Sequence, residues 1–435
     1  MRRLSLKNTA VIILLWCVIS LTGCGKGGEK LQPVYLVAMP IATEWESPGT
    51  VQELCDVALA LHVNPGSNDK SEGDPEAADD VSHTMVKALD AAYSDNENQV
   101  LQVINYREVK DGKMQSYLTG EWKDADVVTR RNFAIMIPNN RQALPQTGIS
   151  YASVIYEAPV EGRITRLMAI FEDYDDLDHV GPVRSSRDYY ISEALSFDSI
   201  YCNWGLARPW VEELINSDRV DNISQAVSGI YDPATHAFDR ISRPGYGTEF
   251  TGYMFIKGYR KDLELKGYRT QYEDGFKPFT FAADDCVATY EGWPDATKVY
   301  PGGTSSNKGG YGTHNPVFKY NDEDGLYYRS QYGIKHVDGL NSKQIAVSNI
   351  IFKVCTGKER LPNDSRYDYL AFGTLGTGDA YVFTSGKVIK GTWERDSDLV
   401  PTTYYDDNGR EIVFNQGKTW ICCIWDEYAE YMMWE

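Results

Sequence analysis

Patterned sequence begins near Ser116 and continues to the end of the chain. Three early runs are apolar and rich in β-branched and aromatic residues, a composition typical of buried strands. These runs are NFAIMIP (132–138), SYASVIYEAPV (150–160) and TRLMAIFED (165–173). Two later runs, RDYYISEALSF (187–197) and PWVEELINS (209–217), carry apolar residues at helical spacing. Strands mixed with helices predict an α/β or α+β domain over residues 116–280.

The pattern becomes strand-rich from residue 281. Three segments alternate polar and apolar residues around Asn, Asp, Ser or Gly turns, which predicts hairpins. They are PVFKYNDEDGLYYRSQYG (316–333), AYVFTSGKVIKGTWE (380–394) and TTYYDDNGREIVF (402–414). The run TWICCIW (419–425) predicts a strand with Cys422 and Cys423 on opposite faces. Residues 281–435 are therefore predicted to form a mostly antiparallel β-rich domain, and the chain as a whole to be α+β.

Two regions have weaker patterns. The Gly-rich stretch PGGTSSNKGGYGTHNP (301–316) is interpreted as a mobile flap or linker. Residues 24–115 contain a tether, an acidic Gly/Pro/Ser-rich linker at 64–80, and two helix candidates at 51–62 and 81–92.

The N-terminus has the three parts of a secretory signal peptide. Arg2, Arg3 and Lys7 give a positive start, an apolar run follows at 10–21, and Leu21-Thr22-Gly23-Cys24 has the form of a bacterial lipobox. By resemblance to other lipoboxes, residues 1–23 are removed and the Cys24 thiol receives a diacylglyceryl group, with acyl chains such as palmitate. The alternatives are an uncleaved membrane anchor and an ordinary secreted protein. The lipobox predicts attachment to the cell membrane on its extracytoplasmic face.

Composition narrows the choice of partner. The 435 residues are 42% hydrophobic and 12% aromatic, enough for a buried core. Removing the three positive charges of the signal peptide takes the net charge from −19 to −22. Such an acidic body argues against a nucleic-acid partner, because binding phosphates requires Lys and Arg in excess. The cysteines left after lipidation have no metal-like spacing, so no metal and no cofactor is predicted.

Several separate motifs resemble one family when taken in order. RRNFAIMIPNNRQALPQTGISYASVIYEAPVEGRITRLMAIFEDYDDLDHVGPVRSSRDYYI (130–191) resembles the N-terminal domain of YerB-like lipoproteins of Gram-positive bacteria. YYRSQYGIKHVDG (327–339) and GKTWICCIW (417–425) resemble the C-terminal domain of that family. The resemblance covers residue 116 to the end and implies a two-domain, envelope-located protein. Both domains are of unknown function, so the resemblance implies no reaction.

One set of candidate site residues lies between 156 and 187. Glu157, Glu161 and Arg166 lie close together in YEAPVEGRITR, and Arg184 and Arg187 lie in GPVRSSRDYY. If they converge, two or three guanidinium groups beside carboxylates would form a site for a carboxylate or phosphate. The alternative is a structural Glu–Arg network that fixes the strand ends.

A second set, Arg329, His336 and Asp338, lies in YYRSQYGIKHVDG. A histidine near an aspartate could act as an acid or base or bind a metal, and the alternative is a hydrogen-bonded loop.

The favoured function is a binding or scaffold module of the cell envelope, with an envelope glycan, an anionic ligand or an envelope protein as partner. The alternative is an extracytoplasmic hydrolase in which Glu157 or Glu161 is the acid or base and Arg184 and Arg187 position the substrate.

Overall fold

Strands make up most of the regular structure, as the apolar runs predict. The computed structural model describes residues 103–104, 108–208, 210–225, 233–273, 275–284, 286–307, 309–360 and 369–435. The signal peptide, Cys24 and both N-terminal helix candidates lie outside these residues.

The described residues form strands, α-helices and short 3-10 helices, numbered in chain order. The strands are β1 (Lys113–Gln115), β2 (Trp122–Asp124), β3 (Phe133–Pro138), β4 (Val154–Val160), β5 (Ile164–Phe171), β6 (His179–Val180), β7 (Ile200–Trp204), β8 (Asn222–Gln225), β9 (Phe238–Arg240), β10 (Gly252–Phe255), β11 (Lys298–Tyr300), β12 (Val317–Asn321), β13 (Leu326–Gln331), β14 (Ile334–Lys335), β15 (Ala346–Val347), β16 (Asn349–Cys355), β17 (Gly357–Arg360), β18 (Tyr369–Phe372), β19 (Gly376–Thr384), β20 (Lys387–Arg395), β21 (Thr403–Asp406), β22 (Thr419–Trp425) and β23 (Met433–Trp434). The α-helices are α1 (Ala125–Thr129), α2 (Asp188–Ser196), α3 (Glu212–Ile215) and α4 (Ile256–Lys266). Short 3-10 helices cover Arg141–Ala143, Ile149–Tyr151, Pro233–Thr235, Thr248–Phe250, Tyr311–Thr313 and Asp426–Tyr431. The protein is thus a sheet-rich mixture of strands and helices.

A ten-stranded sheet forms the centre of the described chain. Its strand order is β21-β20-β19-β16-β22-β4-β5-β3-β7-β8. The first five strands in this order come from the chain after residue 281, and the last five come from the chain before it. The two sets meet where β22 runs parallel to β4, with Thr419 opposite Val154 and Cys422 opposite Glu157. The predicted domain boundary near residue 280 stays a prediction, while the sheet itself is continuous across it.

The strand β22 is central because its sequence suits burial on both faces. All seven of its residues are buried, and it has parallel neighbours, β16 and β4, on its two sides. Strands of this kind are near-continuous apolar runs because neither face meets water. Cys422 packs in the core on one face of the sheet and Cys423 in the core on the other, which confirms the prediction for this pair.

Two smaller sheets contribute residues to one of these cores. The hairpin of β12 and β13 forms as predicted and lies within a six-stranded antiparallel sheet, in the order β14-β13-β12-β11-β23 with β15 on β13. A three-stranded sheet has the order β6-β10-β9. Phe318 of β12 and Met254 of β10 are fully buried in the same core as Trp420 of β22.

One prediction made from local pattern holds in part and another does not hold. In segment 402–414 the predicted hairpin turn forms, with Tyr405 bridged to Glu411 and Ile412 N donating to Tyr404 O. Its second strand is short, because Phe414 N donates to Thr280 O and the ring packs against Phe279 and Phe281. The Gly-rich stretch 301–316 is packed against the central sheet and is not a flap, because the Tyr311 hydroxyl shares its proton between the carbonyl oxygens of Glu157, at 2.9 Å, and Cys423, at 3.1 Å. Its glycines permit close packing: a Cβ on Gly312 would lie 2.2 Å from the backbone nitrogen of Asn307.

Among the described helices, none combines the length and the apolar character needed to cross a bilayer.

The central position of β22 makes its core side chains important for stability. Ile421 is 2% exposed, so Ile421→Ala should lower the free energy of unfolding by about 2–5 kcal/mol through lost burial and a residual cavity. Urea unfolding measures this loss. Ile334→Ala, at a side chain that is 52% exposed, is the matched control and should have little effect. Equal losses from the two variants would contradict the central role of β22.

Candidate functional site

The carboxylate of Glu157 is enclosed by hydrogen-bond donors. Glu157 lies on β4 and is 0% exposed. Its atom Oε1 accepts from Thr165 Oγ1 at 2.6 Å, from His314 Nε2 at 2.8 Å and from Asn139 Nδ2 at 3.0 Å. We call Glu157 and its donor side chains the Glu157 network; the donors are Asn139, Thr165, His314, Arg329 and Trp420.

The strongest partner in the Glu157 network is Arg329, from β13 of the six-stranded sheet. Its guanidinium lies 3.1 Å from Glu157 Oε2, and both side chains are 0% exposed. The same oxygen accepts from Trp420 Nε1 at 3.0 Å, and the guanidinium carbon lies 4.4 Å from the centre of the Trp420 ring. The ion pair therefore connects the six-stranded sheet to the ten-stranded one.

These donors decide the protonation of Glu157. Burial alone would raise the pKa of this carboxyl, but the charge of Arg329 and the hydrogen bonds from His314 and Thr165 outweigh it and lower the pKa to about 2. Burial, as the largest cause, lowers the pKa of His314. Since a carboxylate only accepts, Nε2 of the His314 ring carries the proton that is donated to Glu157. Glu157 is thus ionised and has no access to a substrate.

His336 is fixed in a neutral form by its two partners. Its Nδ1 lies 2.8 Å from Arg329, which can only donate, so Nδ1 accepts and Nε2 carries the proton. That proton is donated to Gln146 Oε1 at 2.7 Å. Burial and the charge of Arg329 lower the pKa of His336 well below its usual value. With both ring nitrogens occupied, this histidine is not placed to transfer a proton or to bind a metal.

Asp338 has a different task in the same part of the chain. It is 0% exposed and accepts from the backbone nitrogens of Gly148, at 2.8 Å, and Ser150, at 2.7 Å, and from the Ser150 hydroxyl at 2.6 Å. It also accepts from the backbone of Leu340 at 2.7 Å. Asp338 therefore holds the 3-10 helix Ile149–Tyr151 against the loop after β14.

The second group of candidate residues lies where the ten-stranded sheet opens at one end. Strands β3, β4 and β7 run in the same direction. Beyond Ile135 the pairing of β3 with β7 stops and the segment at 184–187 runs between them, with Arg184 N donating to Met136 O at 2.9 Å and Trp204 N donating to Arg184 O at 3.0 Å. This insertion brings the residues of the segment beside the end of β4 and the start of β5. We call the group formed by Glu161, Arg166, Arg184, Ser185 and Arg187 the arginine cluster.

Within the described residues, one arginine of the cluster, Arg187, has an ionic partner. Arg187 forms a two-pronged pair with Glu161, through Nε at 2.7 Å and through NH2. Arg166 is 5% exposed and donates from NH1 to the backbone oxygen of Ser185 at 2.7 Å. In the described part of the chain, no carboxylate oxygen lies within 4.0 Å of the guanidinium of Arg166 or Arg184. Arg184 is half-buried, with its guanidinium carbon 5.9 Å from the centre of the Phe250 ring.

The charges of the cluster act on each other. Burial, followed by the charges of Arg187 and Arg184, lowers the pKa of Arg166 to about 9. Burial would lower the pKa of Arg187, but its pairing with Glu161 raises it. Burial would raise the pKa of Glu161, but the same pairing lowers it. The cluster therefore has an excess of positive charge that its own carboxylate does not balance.

The structure thus divides the sequence candidates among three places, one of which is that of Asp338 beside the 3-10 helix Ile149–Tyr151. Glu157, Arg329 and His336 meet in or beside the enclosed Glu157 network, while Glu161, Arg166, Arg184 and Arg187 meet in the arginine cluster. Four partners of Glu157 were not predicted from the sequence, namely His314, Trp420, Thr165 and Asn139. Polar residues at the ends of apolar strands could have indicated Asn139 and Thr165. His314 carried no signal, because its Gly-rich surroundings are typical of a loop.

The depressed pKa of Glu157 makes a prediction about acid unfolding. Its folded pKa of about 2 lies below its usual value of 4.5, so the ionised form stabilises the fold above pH 4.5, and this contribution is lost as the pH falls towards 2. Glu157→Gln should remove a stabilisation of roughly 3 kcal/mol at neutral pH, and the loss should shrink between about pH 5 and pH 2. Urea unfolding over this pH range measures both effects.

Glu323→Gln, in the exposed turn between β12 and β13, serves as the control and should follow the wild-type curve. A Glu157→Gln protein whose stability falls with acid as steeply as that of the wild type would contradict the assignment.

Comparisons with known proteins cover both halves of the chain. Residues 118–258 match the family described as "Protein of unknown function (DUF3048) N-terminal domain", and residues 308–421 match its C-terminal domain. The chain is 30% identical over 321 residues to a Bacillus subtilis (strain 168) protein named "Putative lipoprotein YerB", covering 72% of this chain and 87% of that protein. The crystal structure of YerB from Bacillus subtilis is similar with a TM-score of 0.61 and 25% identity, covering 73% of this chain and 98% of the other. On these grounds the chain belongs to the YerB-like family of two-domain DUF3048 proteins.

Proposed function

We propose that this protein is a lipid-anchored binding module on the extracytoplasmic face of the cell membrane, and that it holds an anionic ligand at the arginine cluster. Cys24 attaches the protein to the membrane, and the arginine cluster supplies the binding site. A hydrolase is less well supported, because Glu157 is enclosed and Glu161 is paired with Arg187.

The anchored location has two supports. The Leu21-Thr22-Gly23-Cys24 sequence has the form of a lipobox and follows a positive, then apolar, N-terminus. The relative from Bacillus subtilis carries the word lipoprotein in its name. Two or three acyl chains give stable anchoring, since each buried CH₂ group contributes about 0.8 kcal/mol.

The proposed binding function rests on the charge of Arg166, which has no carboxylate partner in the described chain. Keeping a guanidinium buried costs free energy unless an anion lies beside it. Arg166 is 5% exposed, its partner is a neutral backbone carbonyl, and Arg184 and Arg187 lie near enough to lower its pKa. A bound anion would supply the missing charge. Removing Arg166 would then cost affinity more than it costs stability.

Ligand-dependent stabilisation tests the proposed binding site. Inorganic phosphate at about 100 times its Kd should stabilise the full-length protein in detergent by about 2.7 kcal/mol. Arg166→Met should weaken phosphate binding at least tenfold, because charge-assisted hydrogen bonds are lost. Melting curves over a phosphate series measure both effects, each relative to the same variant without phosphate.

Arg410→Gln is the charge-matched control, because Arg410 is exposed in the turn after β21, an edge strand that four other strands separate from β4. This control should keep the wild-type response. If phosphate, sulfate and acetate all leave the wild-type melting temperature unchanged, or if Arg166→Met responds like the wild type, the arginine cluster is not the binding site.

The anchor is tested by labelling the acyl chains. Cells grown with an alkyne analogue of palmitate should incorporate it into the wild-type protein and not into Cys24→Ser, because the thiol is the acceptor. Cys286→Ser, at a partly exposed cysteine of the described chain, should be labelled like the wild type. In-gel fluorescence after coupling a dye gives the result, and a labelled Cys24→Ser protein would rule out this attachment site.

A further inference from the structure

We infer that the ligand of the arginine cluster is a phosphate monoester, a dianionic terminal phosphate group on a larger molecule. This inference rests on the proposed anion-binding function and specifies which anion fits. It follows from the charge balance of the cluster, from its free donors and from its place in the sheet.

The charge balance calls for a dianion. The cluster contains three guanidinium groups and the one carboxylate of Glu161, which is bound by Arg187. Glu249, the other carboxylate that influences Arg184, is exposed and lies outside ion-pair distance. Arg166 and Arg184 therefore leave two positive charges unmatched. A phosphate monoester carries about −1.5 to −2 at neutral pH, whereas a carboxylate or a phosphodiester carries one negative charge.

The free donors also fit a group with three terminal oxygens. Arg187 uses Nε and NH2 for Glu161, and Arg166 uses NH1 for the carbonyl of Ser185. Within the described chain, Nε and NH2 of Arg166 have no acceptor and are not sealed from solvent. The guanidinium of Arg184 is likewise without a hydrogen-bond acceptor there and is half-buried. Two arginines thus offer donors for separate oxygens of one phosphate, whereas a planar carboxylate has only two oxygens to offer.

The backbone leaves the nearby Ser185 hydroxyl accessible. Gly205, directly after β7, has a φ of +85°, and a Cβ built there would lie 3.3 Å from Ser185 Oγ. Glycine therefore allows the turn and places no side chain over the hydroxyl. Ser185 itself is partly exposed, so its hydroxyl can donate to a phosphate oxygen held by the arginines.

The position in the sheet agrees with a ligand site. From β3 the chain continues to β4 and β5 on one side of that strand and later to β7 and β8 on the other. The order of the strands therefore reverses at β3, and the arginine cluster lies at the carboxyl ends of β3, β4 and β7. In open parallel sheets, ligands bind at such a reversal, outside the carboxyl ends. This sheet is mixed, with antiparallel β5 between β3 and β4, and the cluster lies at the corresponding end of the strands.

Titration calorimetry on the full-length protein in detergent tests the ligand class. Glycerol phosphate, a monoester, should bind about tenfold or more tightly than dimethyl phosphate at pH 7.5, because the second charge adds charge-assisted hydrogen bonds. Near pH 5 the monoester is a monoanion, so the preference should fall below about threefold. Arg184→Met should remove most of the preference at pH 7.5, and Arg410→Gln should keep it.

A parallel titration with phosphatidic acid in detergent micelles distinguishes a lipid phosphate from a phosphate on a soluble molecule. Binding of either monoester with the stated pH dependence supports the inference and identifies the source. Equal affinity for dimethyl phosphate or acetate would overturn the phosphate assignment and leave the anion site standing. Absence of binding by every anion would overturn the proposed function as well.

Discussion

The buried pair of Glu157 and Arg329 is the interaction on which the arrangement of the described chain depends. An ionised carboxylate inside a protein is tolerated only where donors replace the water it has lost. Glu157 obtains these donors from two strands of its own sheet, from β13 of the six-stranded sheet, from the segment after β3 and from the Gly-rich stretch. Since a displaced donor would leave a buried charge unsatisfied, these segments are held in one arrangement. We therefore expect the ion pair to fix how these segments pack, in addition to its contribution to the free energy of unfolding.

Comparing the buried cations separates structural charge from a candidate binding site. Arg329 has a carboxylate at 3.1 Å, and Lys353 has Glu193 at 2.8 Å. Arg395 shares Glu193 with Lys353 at 3.2 Å and also donates to the carbonyl oxygens of Ser192, Ser397, Asp398 and Val400. In the described chain Arg166 donates to a single carbonyl, and its charged neighbours are Arg184, Arg187 and Glu161, whose carboxylate is already bound by Arg187. All four side chains are thus buried. Among them, Arg166 is the one with no carboxylate oxygen within 4.0 Å in the described chain. A perturbed group of this kind is a better indicator of a ligand site than a charge that the fold already neutralises.

The local pattern of apolar and polar residues was sufficient to predict the strands and hairpins. It was insufficient to predict which strands pair and which distant side chains meet. The strands β3, β4, β5 and β22 follow from runs of β-branched and aromatic residues, and the β12–β13 and β19–β20 hairpins follow from their turns. The pairing of β22 with β4 joins residues more than 260 positions apart, and both strands are apolar enough to pair with many others. The spacing of residues along the chain does not indicate which strand another strand will pair with. For the same reason the sequence did not show that Glu157 pairs with Arg329 and not with one of the nearby arginines. It also did not indicate His314, because the surrounding glycines permit close packing as readily as mobility.

The arginine cluster was accessible from the sequence because its parts are local. Glu161 and Arg166 flank the turn between β4 and β5, and Arg184 and Arg187 are three residues apart. What the sequence could not supply was the insertion of the 184–187 segment between β3 and β7, which brings the two parts together. Backbone hydrogen bonds to Met136, Trp204 and Gly205 fix the main chain of this segment, and Arg187 also has Glu161 as an ionic partner. A chain with a net charge of −19 gives an anion little long-range attraction. Recognition at the cluster therefore depends on short-range contacts with its guanidinium groups.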